Sequence, residues 1–142
     1  MLDAYRSHVA ERAALGIPPL PLNRGQVLEL VELMMAPPAG EEAFIIALLS
    51  HRVPPGVDEA AEVKAAFLTE VAQGKKACPL LTRVQATELL GTMLGGYNVE
   101  PLIQLLEDAE LGAVAASGLK KTLLIFDYFN DVVAKASSNP HA

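Results

Sequence analysis

Tryptophan is absent from this chain of 142 residues, cysteine occurs once, and aromatic residues make up only 5% of it. A lone Cys78 cannot form an internal disulfide and cannot by itself build a zinc or iron–sulfur site, so a reducing compartment suits the chain. Long apolar runs are missing too. The stretch Leu123-Leu124-Ile125-Phe126 is among the longest, far short of the about 20 residues that a membrane-spanning helix requires. The opening Met1-Leu2-Asp3-Ala4-Tyr5-Arg6 has neither the basic start nor the apolar middle of a secretory signal, which points to the cytoplasm. Basic residues are in the minority, 11 against 17 acidic, for a net charge of −6. That field repels polyanions and disfavours general nucleic-acid binding, leaving room only for a local patch. The alternation of β-branched and aromatic residues that marks strands is almost wholly lacking.

What is present is helical spacing in a globular composition, 51% hydrophobic and 20% charged. The length fits one domain, residues 1–142, which would hide about 68–70% of its unfolded surface. A first helix over Leu2 to Leu15 ends at Gly16, and Ile17-Pro18-Pro19-Leu20-Pro21 forbids its continuation. Asn23 caps a second, with Gln26 completing a capping box ahead of Val27, Leu30, Val31 and Met34; Pro37-Pro38-Ala39-Gly40 stops it. A third opens on Glu41 and Glu42, whose charge suits the positive end of the helix dipole, and buries Phe44, Ile45, Leu48 and Leu49. After Pro54-Pro55-Gly56, Asp58 caps a fourth carrying Ala60, Val63, Phe67 and Val71, ended by Gly74. Thr82 and Gln85 box the fifth, whose inner stripe is Ala86, Leu89, Leu90 and Met93 before Gly95-Gly96. Asn98 starts the sixth, with Pro101 in its first turn and Leu102, Ile103 and Leu106 facing inward. Small residues from Ala109 to Ser117 make a seventh ended by Gly118. The last runs from about Leu119 to Ala136 with Leu123, Phe126, Phe129 and Val133 on its inner stripe.

About eight helices joined by short loops lie roughly antiparallel to their sequence neighbours. The fold class expected is all-α, a right-handed stack of antiparallel helix pairs resembling a HEAT-type superhelix. Breaks near residues 37, 54, 74, 95 and 118 give pairs of roughly 40 residues, close to the HEAT period. No repeat consensus is legible, so an irregular helical bundle stands as the alternative.

The search for chemistry assigns no catalytic, cofactor-binding or metal-binding residue. His8, His51 and His141 fall in separate elements without a carboxylate at metal-site spacing, and read as solvated surface residues, His8 on an ordinary polar face. Cys78 follows Lys75 and Lys76, whose charge would favour a thiolate, yet without a partnering histidine it reads as an inert loop cysteine. The glycines of Gly91-Thr92-Met93-Leu94-Gly95-Gly96 look like a phosphate loop, but they end a helix and no lysine follows. Glu41-Glu42 and Asp58-Glu59 are accounted for by helix starts. Arg6 with Arg12, Lys75-Lys76 and Lys120-Lys121 are dispersed and accompanied by only three tyrosines, which supports solvated charges over a stacking platform for RNA.

Several segments together resemble the N-terminal helical domain of the aconitase B family of bacterial aconitate hydratases, which also act as methylisocitrate dehydratases. They are His8-Val9-Ala10-Glu11-Arg12-Ala13-Ala14, Pro37-Pro38-Ala39-Gly40-Glu41-Glu42, Arg52-Val53-Pro54-Pro55-Gly56-Val57-Asp58-Glu59-Ala60-Ala61, Leu89-Leu90-Gly91-Thr92-Met93 with Gly95-Gly96-Tyr97-Asn98, and Thr122-Leu123-Leu124 with Phe126-Asp127. The resemblance implies a HEAT-like domain, the N-terminal part of a longer chain, followed by a swivelling domain and by catalytic domains that hold a 4Fe-4S cluster. It places the cluster cysteines and the substrate-binding serines and arginines in those later parts, so no such role transfers to this chain, which carries no cofactor and is no enzyme on its own. The role implied is packing and recognition: shaping access to the active site of a citrate–isocitrate hydro-lyase, contact with the following swivel and catalytic domains, self-association as a homodimer, and a contribution to mRNA binding. An RNA-binding regulatory module and a free-standing helical-repeat scaffold remain alternatives. Tyr128 or Ile125, off the main stripe of the last helix, are candidates to meet a following domain.

Overall fold

Two capping boxes fix where helices begin. The Asn23 side chain accepts from the Gln26 N–H at 2.9 Å while the Gln26 side chain accepts from the Asn23 N–H at 3.0 Å. Thr82 and Gln85 repeat the arrangement at 3.1 and 2.9 Å. Each box satisfies two backbone donors that a helix start leaves without intrahelical partners. Asp58 caps more simply, accepting from the Ala60 N–H at 2.8 Å.

The computed structural model describes residues 1–122 and 128–136. Among them are eight helices: α1 (Leu2–Ala14), α2 (Arg24–Met35), α3 (Glu42–His51), α4 (Glu59–Ala72), α5 (Arg83–Leu90), α6 (Val99–Leu105), α7 (Gly112–Lys121) and α8 (Phe129–Ala136). No strand forms among the described residues, only an isolated bridge between Cys78 and Leu81. The fold is all-α, as the spacing predicts.

α2 packs against α3 and α4, α4 against α5, α5 against α7, and α7 against α6. Helix α4 is the hub, with Ala60, Ala61, Lys64, Ala65, Phe67, Leu68, Val71 and Ala72 all buried. Small residues on its face let both neighbours come close. α4 and α6 point in the same sense and are linked at their ends. Tyr97, just before α6, reaches the Val57 carbonyl just before α4, and at the other end the Gln73 amide donates to Gln104 at 3.2 Å. α5 lies between them in sequence and packs against α4.

Most of the expected inner stripes are buried: Val27, Leu30, Val31 and Met34 of α2, Ile45, Leu48 and Leu49 of α3, Leu90 and Met93, Leu102, Ile103 and Leu106. Phe44, Val63 and Leu89 are only half-buried and pack at the edge of the core.

Three expectations at the C-terminal end need correction. Gly118 does not end a helix; it lies inside α7. It is there for space, because a Cβ on Gly118 would stand 2.9 Å from the Cα of Gly91. The final helix described begins at Phe129, well after Leu119, which belongs to α7. Its stripe is turned outward: Phe129 is 61% and Val133 52% exposed. Leu123 and Phe126, the other members of that stripe, and Ile125 lie outside the described residues.

The N-terminal helix is held by polar contacts with the proline-rich strap that follows it. Tyr5 is 3% exposed, and its hydroxyl donates to the Leu20 carbonyl at 3.0 Å while accepting from Arg52 Nε at 2.9 Å. Arg52 also donates to the Pro19 carbonyl, Arg12 donates to the Pro18 carbonyl, and the Leu22 N–H donates to the Arg52 carbonyl. Prolines supply rigid backbone with no donors of their own, so their carbonyls take these bonds without competition.

Candidate interaction surface

The two segments Arg52–Asp58 and Gly95–Asn98 meet in space. Gly56 and Gly96 both adopt positive φ, 76° and 80°, a conformation that costs glycine nothing and other residues a steric clash. At Gly96 a Cβ would lie 3.1 Å from the Gly56 carbonyl oxygen and 3.1 Å from Val57 Cγ1. The Tyr97 hydroxyl makes a long contact of 3.5 Å with the Val57 carbonyl. This tight crossing leaves apolar side chains outside, with Val57 73%, Leu94 44% and Tyr97 37% exposed.

From that junction two adjoining depressions run along α6 toward α8, of about 410 and 430 Å³, sharing Glu100, Gln104 and Tyr128. Val57, Tyr97 and Pro101 line the first; Asp131, Ala134 and Lys135 line the second. Lys135 bonds Glu107 at 2.7 Å, tying α8 to the end of α6. Tyr128, singled out from its sequence position, thus faces this trough. A third depression of about 640 Å³ lies beside the Gly91–Gly118 crossing, between Glu88, Thr92 and Leu94 on one side and Val114, Ser117 and Lys121 on the other.

Asn98 stands at the start of α6 as expected, but its side chain does not cap the helix. It is fully buried and its Nδ2 donates to the Leu90 carbonyl at 2.7 Å, closing the end of α5, while Oδ1 has no partner among the described residues.

Sequence reading passed over Lys64. It lies in the middle of the buried arc of α4 and is 4% exposed. No carboxylate among the described residues pairs with it. Burial alone pushes its ammonium down to about 8, because desolvation penalises the charged form. The one available signal was spacing, since Lys64 sits four residues after Ala60 and four before Leu68 on the inner stripe.

The other residues weighed for chemistry serve the fold. His8 is half-buried, and its Nε2 accepts from the Leu20 N–H at 2.9 Å, so it fastens the strap and is not an ordinary solvated residue. His51 closes α3, and His141 lies outside the described residues. Arg6 pairs with Glu41 and Asp3 and stacks over Phe44, 4.3 Å from the ring centroid. Those carboxylates, Glu41 first, hold the Arg6 guanidinium above its ordinary range. Lys76 bonds Glu70 at 2.8 Å. Arg83 donates to the Ala72 carbonyl at 2.8 Å, to Asp108 at 2.6 Å and to Glu110 at 3.0 Å, joining α4, α5 and the α6–α7 loop. Arg83, aided by the Glu110 and Leu111 N–H groups, holds the Asp108 carboxyl below the usual range. Cys78 is half-buried with Sγ 3.5 Å from the Met34 carbonyl. A 4Fe-4S cluster is held by several thiolates, and with one cysteine the chain does not supply that donor set. Among the described residues no three His, Cys, Asp or Glu side chains gather as for a metal, and no helix is long and apolar enough to cross a membrane.

The family model for the aconitate B N-terminal domain matches residues 4–142. Aconitate hydratase B of Escherichia coli strain K12 is 59% identical over 97% of the chain, that of Pseudomonas aeruginosa 57% over 96%, and that of Helicobacter pylori 50% over 97%. The chain spans 16% of the length of each of these relatives. At such identity over nearly every residue, this chain belongs to the aconitate B N-terminal domain family.

Proposed function

We propose that the chain is the non-catalytic interaction module of an aconitase B-type hydro-lyase, forming one HEAT-like domain at the N-terminal end of a longer, cytoplasmic protein. In this reading the whole protein interconverts citrate and isocitrate through cis-aconitate, and dehydrates 2-methylisocitrate, on a 4Fe-4S cluster held by later domains. The helices continue as a right-handed stack whose trough along α6 meets the swivel and catalytic domains and shapes access to the active site, with self-association as a homodimer a further use. One observation carries the reading: the match covers almost the whole of this chain and 16% of relatives named for aconitate hydration. Exposed Val57 and Tyr97 at the mouth of the trough support a docking role, since apolar side chains grouped on a surface favour contact with another surface. The RNA-binding alternative gains no support, because Arg6, Arg12 and Lys76 are each engaged within the fold.

The test is an assay of citrate–isocitrate interconversion by this chain, supplied with iron and sulfide, beside the full product of its gene. The expected result is turnover by the full product alone. Turnover by the 142-residue chain, or none by the full product, overturns the proposal.

A further inference from the structure

Helix α8 is an amphipathic helix whose apolar side is only partly seated: Val132 is half-buried against the core, and the rest of that side has no cover among the described residues. Asp131, Ala134 and Lys135 line the depression against α6, and Lys135 bonds Glu107. Phe129 and Val133, one turn apart, face outward at 61% and 52% exposed, and no residue of α8 is buried. The opposite end of the stack differs. On α1 the exposed positions are Asp3, Ala4, Arg6, Ser7, Ala10, Glu11, Ala13 and Ala14. Terminal helices of a stacked array need a polar outer face for solubility. α1 has one and α8 does not.

We propose that the Phe129–Val133 stripe is one half of a further helix pair, covered by an amphipathic helix from the polypeptide that follows this segment in the longer relatives. The inference rests on the reading above, that the chain is a domain of such a protein. A helix is the occupant that fits, because the apolar stripes of α2 to α7 are each covered by a neighbouring helix. A second copy is the poorer occupant. Two side chains on an eight-residue helix offer far less than the roughly 800 Å² per partner of a stable interface between separate molecules. A tethered helix needs less contact, since its effective concentration is in the millimolar range.

The test places a cysteine by Val133→Cys, with Cys78→Ser to remove the native thiol, in the 142-residue chain and in the full gene product. Alkylation at that position is followed by peptide mass spectrometry and normalised to the denatured protein. The chain alone should react as an exposed thiol does, and the full product at least 20-fold more slowly. Equal rates in the two forms overturn the proposal, and so does slowing in the chain alone that grows with its concentration, which assigns the stripe to a second copy. As a second measurement, Val133→Asp should change the unfolding equilibrium of the chain alone by less than twofold and that of the full product by tenfold or more; little effect in both overturns the proposal. Hydro-lyase activity of the unmodified full product is measured beside these. Activity with an unprotected thiol sinks the helix-pair inference alone, whereas a protected thiol without activity sinks the functional reading.

Discussion

Gly91 and Gly118 touch backbone to backbone: a Cβ on either would lie 2.8 or 2.9 Å from the Cα of the other. α5 and α7 therefore cross at a distance that no other residue permits. Gly118→Ala improves helix propensity by about 1 kcal/mol, but the overpacking it forces costs about 1–3 kcal/mol. The expected net effect is destabilisation, measured by urea unfolding. Gly25→Ala in α2, where the nearest atom lies at an ordinary 3.4 Å, is expected to be neutral or slightly stabilising. If both alanines stabilise, the crossing is looser than described.

Lys64 gives a pH signature. Below pH 8 it is charged in both the folded and unfolded chain, and the fold bears the full cost of burying the ammonium. Its folded value of about 8 lies below the ordinary 10.5, so between these the unfolded chain binds more protons and stability rises with pH. Lys64→Met, an apolar side chain of similar length, should stabilise the protein at pH 7 by about 2–3 kcal/mol. That advantage should shrink steadily from pH 8 to 10, followed by denaturant titration at each pH. A constant advantage across the range would show that Lys64 is not desolvated.

Asp108 behaves in the opposite sense. Because Arg83 and two backbone N–H groups lower its folded pKa, it contributes stability that is complete above the ordinary carboxylate range and is lost as pH falls through the folded value. Asp108→Ala should cost about 1–2 kcal/mol at pH 7. The gap between variant and parent should narrow on acidification, and Arg83→Met should lower stability and remove most of the gap.

Removing the hydroxyl that Tyr5 places between Leu20 and Arg52 leaves a donor and an acceptor unpaired in a half-buried site. Tyr5→Phe should cost about 1–3 kcal/mol in the contacts of α1. Amide exchange at Leu22, whose N–H donates to the Arg52 carbonyl, should quicken with it. Unchanged exchange would mean that the remaining bonds hold the strap unaided.

Helix starts were legible because their signals are local. Asn23 with Gln26, Thr82 with Gln85, and Asp58 each bond within three residues, so the pattern in the letters is the pattern in space. Gly16, Gly40, Gly56 and Gly74 likewise take the positive φ that a chain reversal asks for. Gly118 was misread because glycine serves two purposes, turning and close approach, and only the partner at Gly91 tells them apart. The spacing of Phe129 and Val133 revealed a stripe but not which way it faces, a matter of which helices are available to cover it. Lys64 was invisible for a related reason: its burial depends on how α4 is packed by other helices, which the letters of α4 alone do not carry. Of the interaction surface, the segments around Val57 and Tyr97 were singled out by resemblance, while their contact arises only when the loops leading into α4 and α6 meet in space.

The strap after α1 has a mechanical consequence. Because α1 has no extensive contact with another helix, buries only Leu2 and Tyr5, and is otherwise fastened by Arg12 to Pro18, by Tyr5 and His8 to Leu20 and by Arg6 to Glu41, it can unhook as a unit without opening the α2–α4–α5 centre. Partial unfolding should begin there, at a free energy well below that of the whole. A protease added under native conditions would then make its first cuts between Leu15 and Pro21 and leave behind a shortened but still packed remainder.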